Sequence, residues 1–242
     1  MKRSLFIILI AINVVACEKE SRLASIGVIS GLEVNVGDRI MLEISHTPSD
    51  ALVPAYHYKS SNRFVASVNE HGAVVCHHVG TCTIMVATAD TRFSTACVIH
   101  VKPKNNLFSD PALDFNLTKT AVKLEETNRA IVCETATMLV FQSSENPVQQ
   151  VAYRFDENQK LFASVVKLPS SVSSDLADFL NERYDCLPTA ESNDLQIWRG
   201  YDMEIVKIMI DNAWFVVYHP FSGKSTVESA IQIIETIQNS CK

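Results

Sequence analysis

Four groups of side chains have the types and spacing that chemistry asks for. Cys76-His77-His78 with Cys82 supplies four donors of the kind that hold zinc. The gap between the two cysteines fits no zinc-ribbon spacing, and both histidines fall in a loop between strands, so no metal is expected. Gly223-Lys224-Ser225 follows a strand-like run and precedes a helix-like one, as the end of a phosphate-binding loop does. The first glycine of such a loop would stand at Tyr218, and Pro220 lacks a backbone N–H that a phosphate cradle uses. Ser225 is accounted for as a helix cap, and no cofactor is expected. Asp175 and Asp178 could do acid–base work as a pair, yet both sit at the start of a helical pattern, where the dipole already favours negative charge. His219, the one histidine beyond residue 100, reads as a polar strand-end residue. Trp198 and Trp214 have rings on which sugars stack, but their strand setting is that of core aromatics. Neither a Gly-x-Ser-x-Gly elbow nor a His-Glu-x-x-His helix occurs. No residue is assigned to catalysis, and a non-enzyme is expected.

The elements that must position these groups are bounded by composition. The 242 residues are 47% apolar and 20% charged, with only 7 Gly and 8 Pro, which provides for true cores and excludes a fibrous or disordered chain. The length suits two domains. Charge is unevenly divided: residues 18–107 hold 8 basic and 8 acidic side chains, residues 108–242 hold 11 and 19. Nucleic acid is bound by clustered Lys and Arg that displace counterions, so a neutral half beside an acidic one argues against that partner.

Lys2 and Arg3 precede an apolar run from Leu5 to Ala16 that only Asn13 interrupts. Twelve residues at about 1.5 Å each fall short of the roughly 30 Å hydrocarbon core, as in a secretory signal rather than a spanning helix. The run ends in Val14-Val15-Ala16-Cys17, which resembles a bacterial lipobox. The resemblance implies a signal peptide over residues 1–16, diacylglycerol on the Cys17 sulfur, and Cys17 as the first mature residue. Two or three acyl chains hold a protein to a bilayer far better than one. Glu18-Lys19-Glu20 resembles the export signal of Bacteroidetes lipoproteins destined for the outside of the outer membrane. In an oxidising envelope the six remaining cysteines (Cys76, Cys82, Cys97, Cys133, Cys186 and Cys241) can form disulfides, and partial pairing with some buried thiols left over is expected.

After a linker over residues 17–26, period-two alternation marks antiparallel strands with one buried face, as in Ile40, Leu42, Ile44, in Ile84, Val86, and in Cys97, Ile99, Val101. Turn signals at Gly37-Asp38, Pro48-Ser49-Asp50, Ser60-Ser61-Asn62, His71-Gly72 and Ala89-Asp90-Thr91 fall at sandwich intervals. The Ser60-Ser61-Asn62 turn, Val65-Ala66-Ser67-Val68, Gly72-Ala73-Val74 and Gly80-Thr81-Cys82-Thr83-Ile84 resemble the bacterial Ig-like domain, group 2, in order over residues 27–103. Tyr58 stands at that family's usual Trp position. The resemblance implies an all-β sandwich. Cys82 and Cys97 fall inward on the two strands of one hairpin, so a register that pairs them directly would permit a disulfide, with Cys76 competing for either partner.

Lys102 to Asn106 reads as a short polar connector, and residues 108–242 as an α+β domain with an antiparallel sheet. Thr118 caps an expected helix over Lys119 to Asn128. Strand-like runs follow at Ile131–Phe141, Val148–Phe155 and Leu161–Leu168. A second helix opens at Ser173 with Leu176, Phe179 and Leu180 on one face, and strands are expected at Leu195–Arg199, Met203–Ile210 and Ala213–Tyr218. The capping box Ser225-Thr226-Val227-Glu228 starts a last helix that buries Val227, Ala230, Ile231, Ile234 and Ile237. The order suggests a tandem α-β-β-β repeat. It resembles periplasmic lipoprotein repeats and the beta-lactamase inhibitor family, which implies helices on one face of the sheet.

Together these readings describe a lipoprotein of the bacterial cell envelope. It is held to the outer membrane through Cys17, exposed at the surface, and binds an extracellular protein or glycan without catalysis. The alternative is a hydrolase or an enzyme inhibitor residing in residues 108–242. A groove with an aromatic and no clustered acids favours binding; a pocket that gathers His219 with shifted carboxylates favours catalysis.

Overall fold

The computed structural model describes residues 21–53, 55–188, 194–221 and 226–240. The leader with Cys17, and Gly223-Lys224-Ser225, lie outside these residues.

Nine strands occupy residues 25–102: β1 (Ser25–Val28), β2 (Leu32–Asn35), β3 (Arg39–Met41), β4 (Ile44–Thr47), β5 (Tyr56–Ser60), β6 (Ala66–Val68), β7 (Ala73–Cys76), β8 (Gly80–Thr88) and β9 (Ser94–Lys102). They form a four-stranded sheet in the order β2-β9-β8-β5, a three-stranded sheet β3-β7-β6, and the pair β1-β4. Every pairing is antiparallel except β2 with β9. Alternation does the sorting. On β8, Cys82, Ile84 and Val86 are buried while Thr81 and Met85 are exposed, and the buried set packs against Leu42, Ala66, Val74 and Cys76 in one core. Gly72 holds φ +80°, and a Cβ there would come within 2.9 Å of the Tyr58 ring, so the turn after His71 needs glycine both for its backbone and for the aromatic beside it.

The register corrects one expectation. On the β8–β9 hairpin Cys82 faces Ile99, and Cys97 faces Ile84. The two cysteines are therefore diagonal neighbours, with Cβ atoms about 7–8 Å apart at ordinary sheet spacing, where a disulfide needs about 3.8 Å. Cys76, Cys82 and Cys97 are buried free thiols.

Residues 118–240 form one sheet and three helices: α1 (Lys119–Glu125), β10 (Ala130–Thr135), β11 (Met138–Gln142), β12 (Gln150–Phe155), β13 (Leu161–Pro169), α2 (Ser173–Asn181), β14 (Asp185–Cys186), β15 (Leu195–Arg199), β16 (Met203–Ile210), β17 (Ala213–Pro220) and α3 (Thr226–Ser240). Thr118 caps α1 by accepting from the Ala121 N–H. The sheet order is β10-β11-β12-β13-β17-β16-β15-β14, antiparallel throughout. Each half is thus a helix followed by four strands, not three. The run from Ile131 to Phe141 folds back at Ala136-Thr137 into β10 and β11, and the two-residue β14 is too short to leave a period. Asp211 and Asn212, both at positive φ, make the tight turn between β16 and β17.

The helices lie on both faces, which corrects the one-face expectation. On one face Val122 of α1 and Leu176, Phe179 and Leu180 of α2 pack over Phe141, Tyr153, Trp198, Trp214 and Tyr218. On the other, Ala230, Ile233, Ile234 and Ile237 of α3 pack over Val165, Val206, Phe215 and Val217. Ile233 takes a core place, while Val227 and Ile231 are half-buried at the margins.

Candidate functional site

The residues singled out by chemistry are scattered. Cys76 is sealed in the sandwich core, His77 turns outward to Ser67 (Nε2–Oγ, 2.7 Å), and His78 stacks on Phe64 with ring centroids 4.2 Å apart. Trp198 is fully buried and donates from Nε1 to Asn181 Oδ1 (2.8 Å); Trp214 is buried beside the Lys207 amine, 4.4 Å from its ring. Neither ring is open to a sugar. Asp175 stands in the first turn of α2, and Asp178 lines a groove beside Lys104 and Glu182. His219 is buried on the α3 side of β17, opposite Glu204 in register, with Nδ1 3.0 Å from the Pro220 carbonyl oxygen.

Among the cavities in residues 107–240, two stand on opposite faces of the sheet. The first, about 360 Å³, lies under a strap formed by residues 107–117. Sequence reading assigns residues 108–117 to the α+β domain without an element of their own, and the structure binds them down across the sheet. Phe108 packs on Phe179, the Ala112 N–H donates to Tyr153 Oη (3.1 Å), and the Ser164 hydroxyl donates to the Ala112 carbonyl (2.5 Å). Around the cavity stand Asp110, Glu125, Glu126, Arg129 and Glu145. Arg129 bridges Glu126 (2.6 Å) and Glu145 (3.2 Å), and the Tyr153 hydroxyl donates to Glu126. Burial holds the Tyr153 hydroxyl well above the usual phenol range, with Glu126 adding to the effect. Burial also raises the Asp110 carboxyl, against the pull of Arg183 3.6 Å away. Asp110, Glu126 and Glu145 are thus engaged in holding the strap, the last by accepting the Ser109 N–H (2.7 Å), and His219 is on the opposite face.

The second cavity, about 510 Å³, opens beside α3. Its floor is a single rung of the sheet: Gln150 pairs with Lys167, and Lys167 with Phe215, so three side chains on adjacent strands share one face. The Lys167 amine stands 5.7 Å from the Phe215 ring centre. Val140 lies behind them, Ile237 and Gln238 of α3 form one wall, and Asp211 at the β16–β17 turn closes an end. The site has one aromatic, one acid, one amine and two carboxamides around an apolar base. That is a set suited to holding hydroxyl-rich or amide-bearing ligands rather than to bond cleavage. Gln150, Lys167 and Asp211 escape sequence reading because each looks like an ordinary surface residue; only the register brings them together. A polar residue on the inward phase of each strand, Lys167 after Ala163 and Val165, is the one signal present in the sequence.

No family model matches the chain, and no curated protein does. Solved structures that resemble it include domains 5–6 of the S-layer protein SbsC, at 12% identity over 84% of this chain and 86% of that one, with a TM-score of 0.29. Domains 4 and 5 of the same protein give 9% identity, 84% and 88% coverage and a TM-score of 0.27. A Bacteroides ovatus surface protein, SGBP-B of a mixed-linkage glucan utilization locus, solved with a mixed-linkage heptasaccharide, gives 9% identity, 87% of this chain and 47% of that one, and a TM-score of 0.30. None of these reaches a TM-score of 0.5, so the reading below stands on this chain's own residues.

Proposed function

We propose that this is a lipid-anchored, surface-exposed binding protein of the cell envelope. Residues 27–103 act as an Ig-like spacer and residues 108–242 present the cavity beside α3 to an extracellular glycan. The observation that carries the reading is the placement of the two ends of the sandwich. At one pole Ser21 donates to Asp50 (2.7 Å) and the Ala24 N–H to Thr47 (2.8 Å), close to the loop that leads into β5. β9 then runs the length of the sandwich, about 30 Å for nine residues, and leaves at the other pole. A chain tethered at Cys17 therefore holds its second half away from the bilayer.

The far pole is fastened. Glu182 accepts the Val79 N–H at its carbonyl (2.9 Å) and the Lys104 and Asn105 N–H groups at its carboxylate (2.8 and 3.0 Å), while His78 Nε2 meets Asp185 at 3.0 Å. Backbone groups fixed this way make a stiff spacer instead of a swinging linker. The glycan assignment rests on the Gln150–Lys167–Phe215 rung, which offers hydrogen-bond donors and acceptors beside an apolar surface.

The tests are separable. Radiolabelled palmitate is expected in the wild type and absent from Cys17→Ser; equal labelling of both ends the anchor reading. On a glycan array, the wild type is expected to retain a defined set of oligosaccharides that Gln150→Ala loses. Silence on the array, with turnover of a hydrolase substrate that Glu126→Gln abolishes, would transfer the function to the strap cavity.

A further inference from the structure

We propose that the tethered pole of the sandwich is itself a bilayer-contact face, with Leu52 inserted at the headgroup–acyl boundary. The inference rests on the acylation of Cys17. Three residues separate Cys17 from Ser21, and the four steps between their Cα atoms span at most about 14 Å. Ser21 is fixed to Asp50 by its 2.7 Å hydrogen bond, so the loop carrying Asp50 is held within that reach of an anchored sulfur. Two residues further on stands Leu52, 70% exposed, an apolar side chain pointing away from the core.

The loop presents it in a fixed manner. The Ala51 N–H donates to the Pro48 carbonyl and Ala51 itself is buried, which turns the chain so that its next side chain projects. The same pole contains the β8–β9 turn, which the Ala89 N–H bonds to the Ala55 carbonyl at 2.7 Å. Arg92 on that turn is exposed, lies 5.9 Å from the Phe93 ring centre and pairs with Asp90 at 2.6 Å. An exposed leucine alone is unremarkable on a protein surface. Here the tether removes the choice of where it faces. Arg92 is neutralised by Asp90, so the contact is apolar: a leucine tip confined to a layer one short linker deep reaches the boundary of the acyl chains.

The experiment uses the mature acylated protein, with Leu52→Trp as a reporter and Met85→Trp, on an exposed mid-strand position of β8, as its control. Both are reconstituted in phosphatidylethanolamine–phosphatidylglycerol vesicles with and without brominated acyl chains. Bromine is expected to remove roughly half of the emission added by Leu52→Trp and to leave that of Met85→Trp unchanged, since a boundary residue sits about 5–10 Å into the interface. If the protein incorporates palmitate and floats with vesicles but the Leu52→Trp emission is not quenched, the contact is refuted and the anchor stands. A Leu52→Trp blue shift that follows protein concentration and ignores bromine would refute it in favour of contact between copies. Failure to incorporate palmitate would refute both readings at once.

Discussion

The two faces of the eight-stranded sheet solve the same covering problem with different materials. One face is tiled by aromatic rings, among them Trp198, Tyr153, Tyr218, Phe141 and Phe155, and is sealed by two helices and a strap. The other is aliphatic apart from Phe215 and Phe162, and a single helix covers it, leaving the rung Gln150–Lys167–Phe215 partly open. Large rings fill a wide layer but bring N–H and O–H groups that need partners. Hence the first face is also where the buried polar contacts accumulate: Trp198 to Asn181, Tyr153 to Glu126, Trp214 to the Ser170 carbonyl. The lesson is that aromatic density here marks the more heavily sealed face, and the cavity proposed to bind glycan lies on the poorer one.

The strongest way to break this contrast is to remove an anchor from the aromatic face. Trp198→Ala empties a fully buried position and strands Asn181 Oδ1, so a loss of about 3–5 kcal/mol is expected in urea unfolding. Gln150→Ala, on the open face, is expected to stay within about 0.5 kcal/mol of wild type. Equal costs would mean that the two faces are not functionally divided.

A smaller effect tests whether the strap belongs to the structural face. Tyr153 Oη accepts the Ala112 N–H and donates to Glu126. Tyr153→Phe keeps the ring and orphans both partners, for an expected cost of about 1–3 kcal/mol. The cost should appear together with faster hydrogen exchange at the Ala112 amide. Unchanged exchange there would show that Phe108, Ser164 and Glu145 hold the strap without Tyr153.

How much of this was legible beforehand follows from what each signal encodes. Period two located β8 and β9, because alternation records which face is buried; β12, β13, β16 and β17 read only as strand-like apolar runs, since helices cover both faces of their sheet. Thr118 and the apolar spacing at Leu176, Phe179 and Leu180 marked two helices for the same local reason. Pairing is not local. The offset of Cys82 from Cys97 depends on how the β8–β9 turn closes, and the join of β13 to β17 brings together residues some fifty positions apart. The sheet face chosen by α3 is likewise a tertiary choice, since its stripe of Ala230, Ile234 and Ile237 fits either side. The α3 cavity was invisible for that reason, while the two tryptophans, the most sugar-like signal in the sequence, were consumed by the core. Cys17, read from a resemblance in the leader, lies outside the described residues and rests on the labelling test.

The finest test sets two lysines against each other. Lys207 lies on the aromatic face, 2% exposed, with its amine over Trp214; Lys167 lies half-buried on the α3 face over Phe215. Burial pulls the Lys207 ammonium below its ordinary value of 10.5. Between the lowered folded value and 10.5 the unfolded chain binds more protons than the folded one, so stability rises with pH across that window. At neutral pH Lys207 therefore carries a burial cost that raising the pH relieves. Lys207→Met is expected to raise the melting temperature at pH 7 by a few degrees, with the gap narrowing as pH climbs toward 10. Lys167→Met is expected to leave the melting temperature where it was and to weaken glycan retention. A pH-independent gap for Lys207→Met would show that its amine is as well solvated as that of Lys167, and the contrast between the faces would then rest on shape alone.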